Sequence, residues 1–141
     1  MDRGGIPFYL ITAVILVRGD RILVQRRPPG SRGAGKWELP GGKVEPGEDP
    51  RDALVRECHE ELGCTVEPGV VYEAISANDP NRDLLLLFFT ARITDGEPKP
   101  MEGNELRWVT IDEMDALDLL DADRILPQLF HQRFPAFRGF P

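Results

Sequence analysis

The sequence is poor in cysteine, in long apolar runs and in positive charge, and each shortage closes off a class of protein. Cys58 and Cys64 are the only cysteines in 141 residues. That is too few for a disulfide framework or a four-ligand zinc site, so a reducing, cytoplasmic setting is expected. The apolar run Phe8 to Val17 covers ten residues, too short to cross a bilayer. Its leader carries Asp2 and Arg3 and no small-residue cleavage pattern follows, so it reads as a buried strand, with no membrane partner. Basic residues number 17 against 24 acidic ones, for a net charge of −7. No polynucleotide is expected as main partner, because phosphate backbones are held by clustered Lys and Arg. A small phosphorylated ligand remains open, provided a metal ion offsets the charge.

What is present suits one compact domain over residues 1–141, its core at about 8–130 and a tail at 131–141, with 41% apolar residues to close a core. Residues 8–17 and 21–26 read as strands joined by a Gly19-Asp20 turn, hence a hairpin. "PPGSRGAG" at 28–35 is a loop, since its prolines and glycines defeat helix and ladder alike. Further strands are expected at 69–77 and 83–93, the latter buried on both faces because of its LLLLFF run, and a short one at "ELRWV". Thr110 to Glu113 spells a capping box, and 121–130 reads as helical despite Pro127. The order implies a mixed sheet flanked by helices, an α/β or α+β architecture.

Residues 36–64, "KWELPGGKVEPGEDPRDALVRECHEELGC", hold eight acidic residues in twenty-nine positions. Asp49 suits an N-cap, Pro50 the first helical position, Asp52 the helix dipole and Gly63 the stop, so a helix spans about 50–62. At 3.6 residues per turn Leu54, Cys58 and Leu62 make a core-facing stripe, and Glu57, Glu60 and Glu61 gather on a neighbouring face. Such like charges repel. A solvated acidic face with Arg56 reaching Glu60 would tolerate them; a hard divalent cation, which in turn orients a polyphosphate, would use them.

The spacing favours the second reading. Gly42, five residues, Glu48, seven residues, then Arg56-Glu57-Cys58-x-Glu60-Glu61-x-Gly63-Cys64 resembles the box of the Nudix hydrolases at all of its fixed positions. Cys58 and Cys64 stand where bulky aliphatics are usual, a departure that touches packing rather than chemistry. "QRR", "KWELPGGK", an Arg before a buried strand, "EGNELRW" and "DADR" look most like the MutT-type branch that sanitises the nucleotide pool. The resemblance implies the Nudix fold: a mixed sheet sandwiched between helices with a loop-helix-loop metal platform. It also implies an enzyme that hydrolyses nucleoside triphosphates to monophosphate and pyrophosphate, with 8-oxo-dGTP or dGTP favoured.

On that resemblance Glu57, Glu60 and Glu61 are the expected ligands of Mg2+, or of Mn2+ as a substitute, with Glu57 a candidate base. Glu102 is expected to bring a further carboxylate from a loop, with Glu105 as the alternative. Gly42 can add a carbonyl ligand, and Gly41, Glu48, Arg56 and Gly63 belong to the structural box, Glu48 and Arg56 as an ion pair. Lys43, Arg27 and Arg82 are candidates for binding substrate, and Asp123 for reading the base. A carboxylate there suits guanine's donors or cytosine's amino group equally, so cleavage of CTP, dCTP or 5-methyl-dCTP stays open. ADP-ribose or another nucleoside-diphosphate derivative is a further alternative, and a non-catalytic nucleotide-binding module a last one. His59 and His131 read as structural residues. The partner implied is a small nucleotide, acted on by a monomer or homodimer.

Overall fold

The computed structural model describes residues 3–133. Its strands are β1 (Phe8–Ile15), β2 (Val17–Arg18), β3 (Arg21–Arg26), β4 (Trp37–Glu38), β5 (Gly41–Lys43), β6 (Thr65–Asp79), β7 (Arg82–Asp95) and β8 (Leu106–Val109). The helices are α1 (Pro50–Leu62), α2 (Ile111–Asp115) and α3 (Leu126–Arg133), with a 3-10 turn at Asp121–Asp123. The strands form two four-stranded sheets. One runs β5-β1-β7-β6 and is mixed, because β1 and β7 are parallel while the other pairs are antiparallel. In the other, β3 pairs antiparallel with β2, β4 and β8. Among the described residues no helix is long and apolar enough to cross a membrane.

Strand periodicity divides the interior in two, since successive side chains point to opposite faces. Ala13 and Ile15 of β1, Ile22 and Val24 of β3 and Phe88 of β7 join Met114, Leu126 and Phe130 of the α2–α3 side. The residues between them, Val14, Leu16, Leu23 and Phe89, pack against Leu54, Cys58 and Leu62 of α1. The LLLLFF run is thus shared between both cores, as its lack of alternation implies. Cys58 and Cys64 are each 1% exposed and fill the α1 core as small apolar groups.

Helix α1 begins and ends where the sequence signals it. The Asp49 side chain accepts the Arg51 N–H at 2.7 Å, Pro50 occupies the first turn and Gly63 closes the helix at φ 64°. Beyond the stop, the backbone N–H groups of Lys99 and Met101 reach back to the carbonyls of Leu62 and Glu61, at 2.8 and 3.1 Å. This ties the 99–105 loop to the last turn of α1.

Four expectations change in detail. The hairpin is confined to β2 and β3, joined by Gly19-Asp20, because β1 lies in the other sheet. The chain crosses between sheets at Leu16, whose carbonyl still accepts the Leu23 N–H at 3.1 Å. Lys36 to Lys43, to which the sequence assigns no strand, supplies β4 to one sheet and β5 to the other. β6 starts at Thr65 rather than 69 and passes Pro68-Gly69 through register shifts, where the Thr90 hydroxyl accepts the Val70 N–H at 3.0 Å in place of a ladder bond. The helix expected over 121–130 splits into the 3-10 turn and α3, with Pro127 in the first turn of α3, where its missing N–H costs nothing. Of the tail expected at 131–141, residues 131–133 complete α3, and 134–141 lie outside the described residues.

Leu54 is fully buried between α1 and the sheets, so Leu54→Ala is expected to lower the unfolding free energy by about 2–5 kcal/mol. Urea denaturation followed by circular dichroism checks this, with Asp49→Ala expected to cost about 1 kcal/mol on the same assay.

Candidate active site

The site begins with a close approach of backbone to side chain. The Glu57 carboxyl lies directly on Gly42, where a Cβ would occupy the space of its Cδ and both oxygens. Gly41 meets the β1 backbone at Thr12 in the same way. Only glycine permits both contacts. The Gly41 N–H donates to Glu61 Oε2 at 3.0 Å, and the Thr12 hydroxyl lies 3.4 Å from the Gly42 carbonyl oxygen.

Arg56 organises the outer side of the helix. Its guanidinium grips Glu48 through two bonds of 2.9 and 3.0 Å, and donates to Glu57 at 2.9 Å, to the Lys43 carbonyl at 3.0 Å and to Glu60 at 3.4 Å. This pairing, with the Glu45 N–H as a further donor, holds the Glu48 carboxyl down at about 2. The expected Arg56–Glu48 ion pair is therefore present, and the same guanidinium also crosses to the acidic face.

The acids of that face differ in environment. Glu61 is pushed up to about 8, chiefly by burial and then by the charge of Glu57, against the opposing bonds from Gly41 and Gln25. Glu57 is also raised, first by burial, while Arg56 lowers it and Glu60 and Glu102 raise it. Glu60 is half exposed. Glu102, held beside α1 by the Met101–Glu61 backbone bond, is thus close enough to act on Glu57. Glu105 turns elsewhere, paired with Arg107 at 3.0 Å and Arg26 at 3.7 Å.

Among the described residues no three His, Cys, Asp or Glu side chains stand ready as a closed metal cage. The donor chemistry nevertheless fits a hard divalent cation. Glu57, Glu60, Glu61 and Glu102 offer oxygen alone, they repel one another, and the two most buried hold their protons more tightly than usual. A cation bound there would displace those protons and relieve the repulsion.

Gly41 and Gly42 also wall a cleft of about 980 Å³, and Arg27, Lys43, Arg82 and Asp123 all line it. Lys43 Nζ stands 4.1 Å from the Tyr9 ring centre. Arg27 pairs with Glu38 at 3.0 Å, and Arg82 lies 3.7 Å from Asp79, its Nε buried without a hydrogen-bond partner among the described residues. Asp123 is 3% exposed and accepts the Leu39 N–H at 2.8 Å; burial pushes it up to about 8. It therefore caps a strand-end amide rather than a helix. His59 is exposed, and His131 faces Asp112 on the surface at 3.2 Å.

Glu38, Gln25 and Tyr9 escape the reading of the sequence. Burial raises the Glu38 carboxyl, and its charge reaches both Glu61 and Asp123. Period-2 alternation in β4 leaves its orientation open, and its one sequence signal is its place beside the glycine pair. Gln25 stands within "QRR", and its one sequence signal is that a lone polar residue closes an Ile-Leu-Val strand.

Comparison with known proteins places the chain in a family. The model of the NUDIX domain matches residues 8–130. The 8-oxo-dGTP diphosphatase of Escherichia coli K12 is 32% identical over 114 residues, 81% of this chain and 88% of that protein. The CTP pyrophosphohydrolase of the same organism is 35% identical over 120 residues, 85% of this chain and 89% of the relative. The solution structure of the E. coli ORF135 protein superposes with a TM-score of 0.79 at 32% identity, over 97% of this chain and 100% of that one. Nudix hydrolases generally use divalent metal ions. With the box in place on α1 and its glycines shared between the acids and the cleft, the chain belongs to the Nudix hydrolase family.

Proposed function

We propose that this chain hydrolyses nucleoside triphosphates to monophosphate and pyrophosphate with Mg2+, Mn2+ serving as a substitute, and that 8-oxo-dGTP or dGTP is its favoured substrate. One observation carries the reading: Gly41 and Gly42 are at once the surface on which Glu57 and Glu61 rest and a wall of the cleft that holds Arg27, Lys43, Arg82 and Asp123. A triphosphate at the carboxylates leaves its nucleoside within that cleft. The small thiol content and the buried cysteines suit a reducing cytoplasm.

Glu57, Glu60 and Glu61 hold the cation, with Glu102 and the Gly42 carbonyl completing the oxygen set. A cation held there would supply Lewis-acid polarisation of the phosphoryl group. Glu57, close to Glu102 and restrained by Arg56, takes the proton from the attacking water. Lys43 and Arg82 offset phosphate charge, Arg27 lines the same cleft, and Glu48 and Arg56 keep α1 seated on β5. Asp123 reads the base. Burial favours its protonated form, in which the carboxyl offers a donor as well as an acceptor.

A second reading, cleavage of CTP or its deoxy forms, stands on that same group: a protonated carboxyl pairs with the acceptor and donor edge of cytosine as readily as with guanine's. Pyrophosphate release across 8-oxo-dGTP, dGTP, CTP, dCTP and ADP-ribose separates the readings. Pyrophosphate from a guanine triphosphate is the expected result; preference for CTP supports the second reading, and turnover of ADP-ribose alone rejects both.

EDTA is expected to abolish that turnover and excess Mg2+ to restore it. Glu61→Gln is expected to lower kcat by about 100-fold or more, measured at saturating Mg2+. Full activity in EDTA, or in the variant, contradicts the metal role.

Asp123 also gives a stability signature. Its folded value of about 8 lies above the ordinary carboxyl range, so the folded state holds the proton more tightly. That contribution is complete below about pH 4 and is lost as pH rises through 8. Asp123→Asn keeps an acceptor for the Leu39 N–H and cannot ionise. Its melting temperature relative to wild type is expected to climb between pH 5 and about 9, as read by thermal denaturation across that range. A difference that stays flat shows Asp123 ionised throughout.

A further inference from the structure

We infer that Gln25 is a positioning residue for the reaction: its side-chain amide fixes the Glu61 carboxylate in the orientation that meets the cation, and its own carbonyl oxygen is kept for a hydrogen-bond donor that arrives with the bound state. The inference rests on the metal-dependent reading above.

Gln25 lies near the end of β3 and is 2% exposed. It follows Ile22, Leu23 and Val24, and alternation sends it to the same face as Leu23, which packs against Leu54, Cys58 and Leu62 of α1. A leucine would extend that core without leaving a polar group to satisfy. The chain places an amide there instead, and burial without full pairing is unfavourable for an amide.

What the amide meets accounts for its place. Gln25 Nε2 stands 3.5 Å from each oxygen of Glu61, while the Gly41 N–H reaches Glu61 Oε2 at 3.0 Å. The two donors come from strands of different sheets, β3 and β5, and converge on one carboxyl of α1. The Gly41 bond holds one oxygen at full hydrogen-bond distance, and the Gln25 amide faces both oxygens at the outer limit of one, close enough to tighten on a carboxylate that carries its full charge. Carboxylate ligands are held by such hydrogen bonds around metal sites, and losing one weakens metal binding about 10–100-fold.

Gln25 Oε1 is buried and has no hydrogen-bond partner among the described residues. Buried side-chain oxygens are nearly always paired. A water molecule ordered with the cation supplies the missing donor in a site already lined by oxygen. Gln25 touches neither of the cleft's arginines in any bond described, so its influence runs through Glu61.

The test is Gln25→Met, which keeps length and removes both donor and acceptor. Mn2+ affinity of the nucleotide-free protein is read by electron paramagnetic resonance, alongside the melting temperature in EDTA and the split of kcat against KM. The expected result is a folded variant that melts no lower than wild type in EDTA and binds Mn2+ about 10–100-fold more weakly. Its kcat falls while KM for nucleotide stays within twofold. In a Glu61→Gln background, Gln25→Met is expected to leave Mn2+ affinity unchanged. If the methionine variant fails to fold, Gln25→Asn, whose shorter amide falls short of Glu61, is expected to show the same loss. Bound Mn2+ in wild type with either folded variant unchanged overturns the inference and leaves the metal reading standing. No Mn2+ bound by wild type overturns both.

Discussion

The Arg56 guanidinium joins groups that the chain would otherwise hold apart: the loop acid Glu48, the helix acids Glu57 and Glu60, and the β5 carbonyl of Lys43. Five hydrogen-bond donors in a rigid plane make this possible, and a lysine could not reproduce the set. The consequence is mechanical as well as electrostatic. Because Arg56 binds both the loop before α1 and the strand beneath it, the helix cannot rotate without breaking several bonds. Its acidic face therefore stays turned toward Gly41 and Gly42. Everything proposed for the site assumes that fixed rotation.

A tension runs through the arrangement. Burial and mutual repulsion push Glu57 and Glu61 toward their neutral forms, while Arg56, Gln25 and the Gly41 N–H favour the charged ones. Without a cation the site is a compromise held in place by the two cores behind it. Leu54, Cys58 and Leu62 supply that backing, each fully buried Leu contributing about 1.5–3 kcal/mol of apolar stabilisation. A helix that repels itself on one face is kept by what it buries on the other. This division of labour explains why aliphatics can give way to cysteines at 58 and 64 without disturbing the chemistry.

Much of this was legible in the sequence, for local reasons. The limits of α1 follow from Asp49, Pro50 and Gly63, whose effects reach only a few residues, and its two faces follow from the helical period. The acids of the box and the cleft-lining set of Arg27, Lys43, Arg82 and Asp123 came from gapped spacing and resemblance, and the fold brings that cleft set to one cavity. What was not legible depends on distant partners. That β1 and β2 belong to different sheets is decided at Leu16, because β1 pairs with β7, far along the chain, while β2 pairs with its neighbour β3. The Pro68-Gly69 bulge is rescued by Thr90, a partner twenty residues away. Gln25 and Glu38 acquire their meaning only when β3 and β4 are laid beside α1.

The stretch Leu39-Pro40-Gly41 gives one amide to a carboxyl in the cavity and one to a carboxyl of α1. The Leu39 N–H goes to Asp123 and the Gly41 N–H to Glu61. The two donors are separated by two residues, at most about 7 Å of chain. This short segment works as a ruler: it fixes how far Asp123 can stand from Glu61. Lengthening it by a single residue would put the two ends out of step even if every side chain were kept. The spacing of the two carboxyls is thus set by main chain, a part of the molecule that point substitution barely reaches.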